Sequence, residues 1–185
     1  MNIIDTRSNI KPRDYKEDSI KNIPLFETRG VEHSISSNDF TDVIFQSIPS
    51  VEFFEEKEKL INKNIYVMGA STKNFLSQKG LDSICPDIPG SKELIKLLSK
   101  NENNKFLIIK GADGLKDVFN YLNGNLNCVE EVICYERVKF DNYDNLKQPF
   151  LDADAVIFSS TYSVNIFFEE IYSSNIKAKL FGISN

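Results

Sequence analysis

The chain has 185 residues, enough for one large or two small domains. Hydrophobic residues make up 41% and charged residues 26%, which is ordinary for a soluble globular protein. The net charge of −5 argues against a nucleic-acid partner, because neutralising phosphates needs clustered Lys and Arg. No apolar run reaches transmembrane length and Met1–Arg7 is not a signal peptide, so a cytoplasmic protein without a membrane partner is expected.

Short apolar runs alternate with helical patterns along the chain. Strands are predicted at Asn2–Asp5, Ile23–Glu27, Asp42–Phe45, Asn64–Met68, Lys105–Ile109, Glu131–Tyr135, Ala155–Phe158 and Lys179–Phe181. Several are nearly continuous in Ile, Val, Leu and Phe, as befits parallel strands covered on both faces. Helices are predicted at Ser50–Leu60, Ser71–Lys79, Ser91–Leu98, Leu115–Leu122 and Ser163–Tyr172, each opened by Ser or another small polar residue. Gly80 is a candidate helix stop. Phe53, Phe54, Phe167 and Phe168 fall on helix faces and are expected in the core. This alternation implies right-handed βαβ units in doubly wound parallel sheets, an α/β fold.

The chain also repeats itself. DVIFQSIPSVEFFEE at Asp42–Glu56 resembles AVIFSSTYSVNIFFE at Ala155–Glu169. Phe45 falls on Phe158, Ser47 on Ser160, Ser50 on Ser163 and Glu56 on Glu169, a constant offset of 113. The same offset carries Gly69 onto Gly182 and Ser71 onto Ser184. Two Rossmann-like or flavodoxin-like lobes are therefore expected, with a ligand cleft between them. The polar stretches Thr28–Asn38 and Arg137–Pro149 are read as the two crossings between lobes. That makes 30–135 one complete, inserted lobe, and 1–27 plus 138–185 a discontinuous one. The first copy continues for about 65 residues past Thr72, whereas the second stops at Asn185. The second lobe is thus expected to be incomplete, the chain being C-terminally truncated, with an exposed sheet edge.

Residues able to do chemistry gather after strand ends. Ser47, Ser160 and Thr161 follow strands, and GAST at Gly69–Thr72 has the same character. Ligands of open parallel sheets bind at strand carboxyl ends, where the next helix offers free N–H groups to anions. Each of these residues could equally be no more than a helix cap. In the case of GAST, Ser71 or Thr72 would cap the helix and Gly69 would allow close backbone approach. KGADG at Lys110–Gly114 is a further strand-to-helix turn, with a cation at its mouth but no Walker element. Tyr135 ends a strand and could donate a proton from its hydroxyl. Arg7 could meet an anion or be solvated. His33 is the only histidine, which excludes a multi-His metal site, and it reads as a loop residue. Cys85, Cys128 and Cys134 form no CxxC pair and are expected to be reduced and to fill the core.

Taken in order, these segments resemble the uroporphyrinogen-III synthase family of haem biosynthesis. The resemblance runs through IIDTR, TDVIFQS, SVEFF, YVMGASTKNFLSQKGL, LIIKGADGLKDVFNYL, VEEVICYERV, DAVIFSSTYSV and KLFGIS. VMGASTKNFLSQKGL and ICYERV are its most specific parts. It departs from the family pattern at Lys73, at Asn185, and in a short segment from Arg7 to Pro24. The resemblance implies two α/β lobes joined by a two-stranded linker, an active site between them, no cofactor and no metal. It implies a lyase that takes the linear tetrapyrrole hydroxymethylbilane, expels its hydroxyl as water, closes the macrocycle and inverts the last ring. Tyr135 maps onto the family's strand-end tyrosine, the acid for hydroxyl loss. Loops and resemblance together nominate Arg7, Ser47, Ile48, Gly69, Ser71, Thr72, Lys110, Gly111, Ser160, Thr161 and Ser184 as substrate-binding residues of a monomer. The competing readings are a non-catalytic two-lobed small-molecule binder, which would usually bring an export signal or a DNA-binding domain, and a nucleotide-binding domain. The missing glycine fingerprint disfavours the last.

Overall fold

The computed structural model describes residues 1–8, 19–100 and 102–182. In chain order the first elements are β1 (Ile3–Asp5), β2 (Ile20–Asn22), β3 (Phe26–Gly30), β4 (Asp42–Phe45), α1 (Ile48–Phe53), β5 (Asn64–Val67) and α2 (Ala70–Gln78). They are followed by α3 (Ser91–Leu98), β6 (Lys105–Gly111), α4 (Asp117–Asn123), β7 (Cys128–Lys139), α5 (Asp144–Leu151), β8 (Ala155–Phe158), α6 (Thr161–Ile166) and β9 (Lys179–Gly182). The chain forms two compact units, Met1–Thr28 with Arg137–Asn185, and Arg29–Glu136. β3 and β7 carry the chain from one unit to the other.

The unit of Arg29–Glu136 is built on a five-stranded sheet of order β3-β7-β6-β4-β5. β4 pairs in parallel with β5 and β6, and β6 in parallel with β7. Side chains alternate faces along a strand, and both faces here are covered. Val43, Phe45, Leu107 and Ile109 point into one core with Val51 and Leu76, from α1 and α2. Ile44, Phe106 and Ile108 point into the other with Leu94, Leu98, Val118 and Leu122, from α3 and α4. Each such fully buried aliphatic or aromatic side chain contributes about 1.5–3 kcal/mol of transfer free energy. This two-sided burial is why β4 and β6 are unbroken apolar runs.

The second unit carries a four-stranded sheet of order β2-β1-β8-β9. All three of its pairings are parallel. Ile4, Val156, Phe158, Phe150, Ile166 and Phe167 form its core. Every residue of the edge strand β9 is exposed, including Leu180 and Phe181.

Several local expectations are corrected. Ser50–Leu60 is not one helix: α1 ends at Phe53 and a separate 3₁₀ turn spans Lys57–Leu60. The capping residue is Ser47, so the helix begins earlier than predicted. The chain passes between the units at Glu136–Arg137, where the stretch read as a crossing begins, but the rest of Arg137–Pro149 is not a plain linker: it completes β7 and then enters α5, with Pro149 inside the helix. Buried Phe150 and the buried Tyr143, whose hydroxyl donates to Leu25 O at 2.7 Å, hold α5 despite the proline. α6 starts at Thr161 and passes into a π-turn over Phe167–Ile171. Phe54 and Phe167 are in the core as expected, but Phe168 is exposed. β2 has no counterpart among the predicted strands. Cys134 is buried as expected, whereas Cys128 is exposed. Gly80 does stop α2, at φ +78°. Among the described residues, no helix is long and apolar enough to cross a membrane.

Candidate active site

In the unit of Arg29–Glu136, the parallel pairing puts the residues after β4, β5 and β6 at one edge of the sheet. Phe45 is level with Val67 and with Ile109. Ser47, Gly69–Thr72 and Gly111 therefore share the carboxyl edge. Tyr135 joins them through an irregularity: β6 and β7 slip between Lys110 and Gly111, so that Gly111 pairs with Tyr135 rather than Cys134. A bulge of this kind re-aims a side chain at the end of a strand. The Tyr135 ring is almost fully buried, stacked on Phe53 at 6.2 Å, and its hydroxyl lies 3.0 Å from Ser47 Oγ.

Ser47 is the N-cap of α1 and forms a reciprocal box with Ser50. Ser50 N–H donates to Ser47 Oγ at 3.3 Å, Ser47 N–H donates to Ser50 Oγ at 3.1 Å, and Ser50 Oγ–H donates to Ser47 O at 2.6 Å. Pro49 has no N–H. The first turn therefore leaves Ile48 N–H without a partner among the described residues. The repeat rebuilds two of these three bonds in the other unit. Ser160 caps α6, accepting from Ser163 N–H at 3.2 Å, while Ser163 Oγ–H donates to Ser160 O at 2.8 Å. Ser50 and Ser163 are both fully buried. Sequence reasoning names Ser47 and Ser160 but misses these partners, although a Ser-x-x-Ser spacing is a near relative of the capping box.

Other nominated residues sit differently from expectation. Gly69, not Ser71 or Thr72, is the N-cap of α2. Ser71 is exposed and Thr72 buried in the first helical turn. A Cβ at Gly69 would meet only Pro89 at 3.5 Å, so no close packing forces glycine there. At Gly111, by contrast, a Cβ would run into the Tyr135 ring lying against it. Lys110 is not a cation at the mouth of a turn. It is 1% exposed and its Nζ lies 2.7 Å from Glu131 Oε1. Glu131 also holds Lys116 at 2.6 Å. Burial pushes the Glu131 carboxyl up, but hydrogen bonds from the two lysines outweigh it and leave the pKa lowered.

In the other unit, Arg7 is partly exposed but not uncommitted. Its Nε meets both carboxylate oxygens of Asp5, at 3.1 and 2.9 Å, and its N–H donates to Asp5 Oδ1. Asp5 itself is buried. Thr6 donates to Ile157 O through N–H and hydroxyl, tying the end of β1 to that of β8. The N–H groups of Thr161 and Tyr162 have no partner among the described residues. Ser184 lies outside the described residues. His33, a loop residue as expected, bonds Val31 O through Nδ1 and accepts from Glu55 N–H at Nε2.

The family model for uroporphyrinogen-III synthase HemD matches residues 22–183. The chain belongs to the uroporphyrinogen-III synthase family. The fold is similar to that of uroporphyrinogen-III synthetase from Helicobacter pylori 26695, with a TM-score of 0.72 at 15% identity. That likeness covers 100% of this chain and 84% of the other. It is also similar to a mutant uroporphyrinogen III synthase from the extremely thermophilic bacterium Thermus thermophilus, with a TM-score of 0.60 at 14% identity over 98% of this chain and 83% of that one. No curated protein sequence matches the chain. Membership in the uroporphyrinogen-III synthase family implies a tetrapyrrole substrate. The carboxyl edge in the unit of Arg29–Glu136 brings together a phenol, a serine cap and the N–H of Ile48.

Proposed function

We propose that this chain cyclises hydroxymethylbilane to uroporphyrinogen III with inversion of ring D and loss of water, as a cofactor-free cytoplasmic lyase acting as a monomer. The observation that carries the reading is the Tyr135 hydroxyl, held at the carboxyl edge of the five-stranded sheet beside Ser47.

Hydroxide is a poor leaving group without a proton. Tyr135 gives its proton to the departing oxygen as the C–O bond breaks, and both electrons leave with water. The adjacent pyrrole nitrogen supplies electron density to the methylene carbon. The methylene carbon bonds the substituted α-carbon of ring D in a spiro intermediate; the bond from that carbon to its old methylene then breaks and re-forms at the free α-carbon of the same ring, which inverts it, and the proton released from that carbon returns to Tyr135. The substrate's eight carboxylates favour N–H donors over lysine: N–H groups at helix starts hold oxyanions without a mobile charge. Ile48 and Ser71, both in the unit of Arg29–Glu136, would supply such donors from the backbone. Lys110 and Arg7, both committed to carboxylates of the protein, would serve as framework.

The test is incubation with hydroxymethylbilane, followed by separation of the type III and type I porphyrin isomers after oxidation. Type III product is expected. Tyr135→Phe should slow it by about 10²-fold, at the low end for a positioned acid because the pyrrole assists ionisation. Type I alone from the parent protein would overturn the assignment. Undiminished type III from Tyr135→Phe would remove Tyr135 from the chemistry.

A further inference from the structure

We infer that Ser47 is the positioning residue of Tyr135, donating its hydroxyl proton to the phenol oxygen so that the phenol's own proton is left for the substrate. The inference rests on the reading of Tyr135 as the acid.

Either hydroxyl could donate across this 3.0 Å contact, and it is the reading of Tyr135 as the acid that assigns the donor to Ser47. A serine hydroxyl has one proton and two lone pairs. Ser47 Oγ already accepts from Ser50 N–H. Ser50's hydroxyl proton is spent on Ser47 O. Ser47's own proton has the Tyr135 oxygen as its one partner at 3.0 Å among the described residues. If Tyr135 donated instead, Ser47 Oγ would take two donors and its proton would have no acceptor. Donation from Ser47 to Tyr135 leaves one proton without a partner among the described residues, the phenolic one, which is the proton an acid must keep for its substrate. It also turns the phenolic proton away from the protein and supports the phenolate that forms when that proton leaves.

The geometry around the pair is fixed on all sides. Gly111 and Phe53 flank the ring. The capping box holds Ser47 Oγ against rotation, since turning it away would break the bond from Ser50 N–H. Ser47 thus joins two roles, cap and hydrogen-bond donor, which substitutions can separate.

Ser47→Asp keeps an acceptor for the cap, since Asp is as good an N-cap as Ser, but has no proton to give. It is expected to keep the urea midpoint within error while kcat for type III product falls about ten- to a hundredfold, the range for losing a hydrogen bond to a charged group. KM should change little, because the bond matters only as charge develops on Tyr135. Ser47→Thr, which restores the hydroxyl, should recover most of the lost kcat. In a Tyr135→Phe background, Ser47→Asp should add nothing further. Parental kcat in Ser47→Asp, with Tyr135→Phe slow, would overturn the inference and leave Tyr135 standing. So would effects of the two substitutions that simply add, or a loss confined to KM, which would make Ser47 a substrate contact. Undiminished turnover in Tyr135→Phe would instead bring down the reading beneath it.

Discussion

A Cβ built on Gly111 would sit 2.5 Å from Cζ of Tyr135 and 2.9 Å from its hydroxyl oxygen. Real carbon contacts do not come that close, and the atom in the way is the aromatic ring, already stacked on Phe53. Gly111→Ala must therefore displace the phenol. The expected cost is about 1–3 kcal/mol of stability, typical of overpacking, together with a loss of type III turnover comparable to that of Tyr135→Phe. Gly69→Ala is the control, since its Cβ meets only an ordinary contact and its extended φ of −168° suits any residue. Urea denaturation and the isomer assay on both variants decide the matter. Parental turnover in Gly111→Ala would mean that the ring has somewhere to go.

The two serine caps predict related effects in the two units. Ser50→Ala and Ser163→Ala each remove a buried hydroxyl that donates to the carbonyl of the capping serine, and Ser50 also accepts from Ser47 N–H. Each should lower stability by about 1 kcal/mol or somewhat more, the usual value of an N-cap hydrogen bond. Denaturant midpoints of the two single variants check this. A neutral result at either would show that its cap is redundant.

Legibility in the sequence follows burial. β4, β6 and β8 are covered so completely that almost every residue is apolar, and a run such as Phe106–Ile109 can be read directly. The caps are legible too, because Ser47 and Ser160 stand just before helices and recur at one offset. β2 is not legible: Ile-Lys-Asn, half-buried at a sheet edge, carries no alternation. α5 is masked by Pro149, which reads as a breaker until the buried Phe150 is seen to anchor the last turn. Lys110 reads as a mouth cation because its partner, Glu131, lies on the next strand. The Ser47–Tyr135 bond is hidden for the same reason: the residues are 88 apart and meet only through the β6–β7 register and its bulge.

Arg7 and Asp5 make a separable pair. Arg7→Leu would leave the buried Asp5 carboxylate without the guanidinium that contacts both its oxygens. A loss of about 1.5–3 kcal/mol is expected, as for hydrogen bonds to a charged group. If Arg7 instead served chiefly as a substrate contact, stability would be unchanged and only KM would rise; thermal denaturation beside steady-state kinetics separates the two.

The three thiols should react in the order of their exposure. Cys128 is exposed. Desolvation by burial raises the pKa of Cys85, and it pushes that of Cys134 up to about 12. Since the thiolate is the nucleophile, an aromatic disulfide reagent at about pH 8 should titrate Cys128 first, Cys85 more slowly, and Cys134 only after denaturation. Fast labelling of Cys134 in the native protein would contradict its buried place beside Ser50 O and Lys110 O.

The Lys110–Glu131 pair predicts an asymmetry and a pH dependence. Lys110 is 1% exposed, and its carboxylate partner among the described residues is Glu131; Glu131 is 15% exposed and has Lys116 besides. Glu131→Gln leaves a buried ammonium without a counter-charge and should cost about 3 kcal/mol, the lower end for breaking a buried pair. Lys110→Met leaves a carboxylate that still holds Lys116, and fills the slot with an apolar chain of similar length, so it should cost clearly less. The folded pKa of Glu131 lies below its ordinary value of 4.5. The unfolded chain therefore binds this proton more readily than the folded one, and acid favours unfolding. The stabilisation is complete above about pH 4.5 and is lost as pH falls through the lower, folded-state value. Urea midpoints of parent and Glu131→Gln should thus differ at about pH 7 and converge as pH falls through the lowered, folded-state value. A gap that stays constant across that range would show that the glutamate acts through packing, and that its charge does nothing for Lys110.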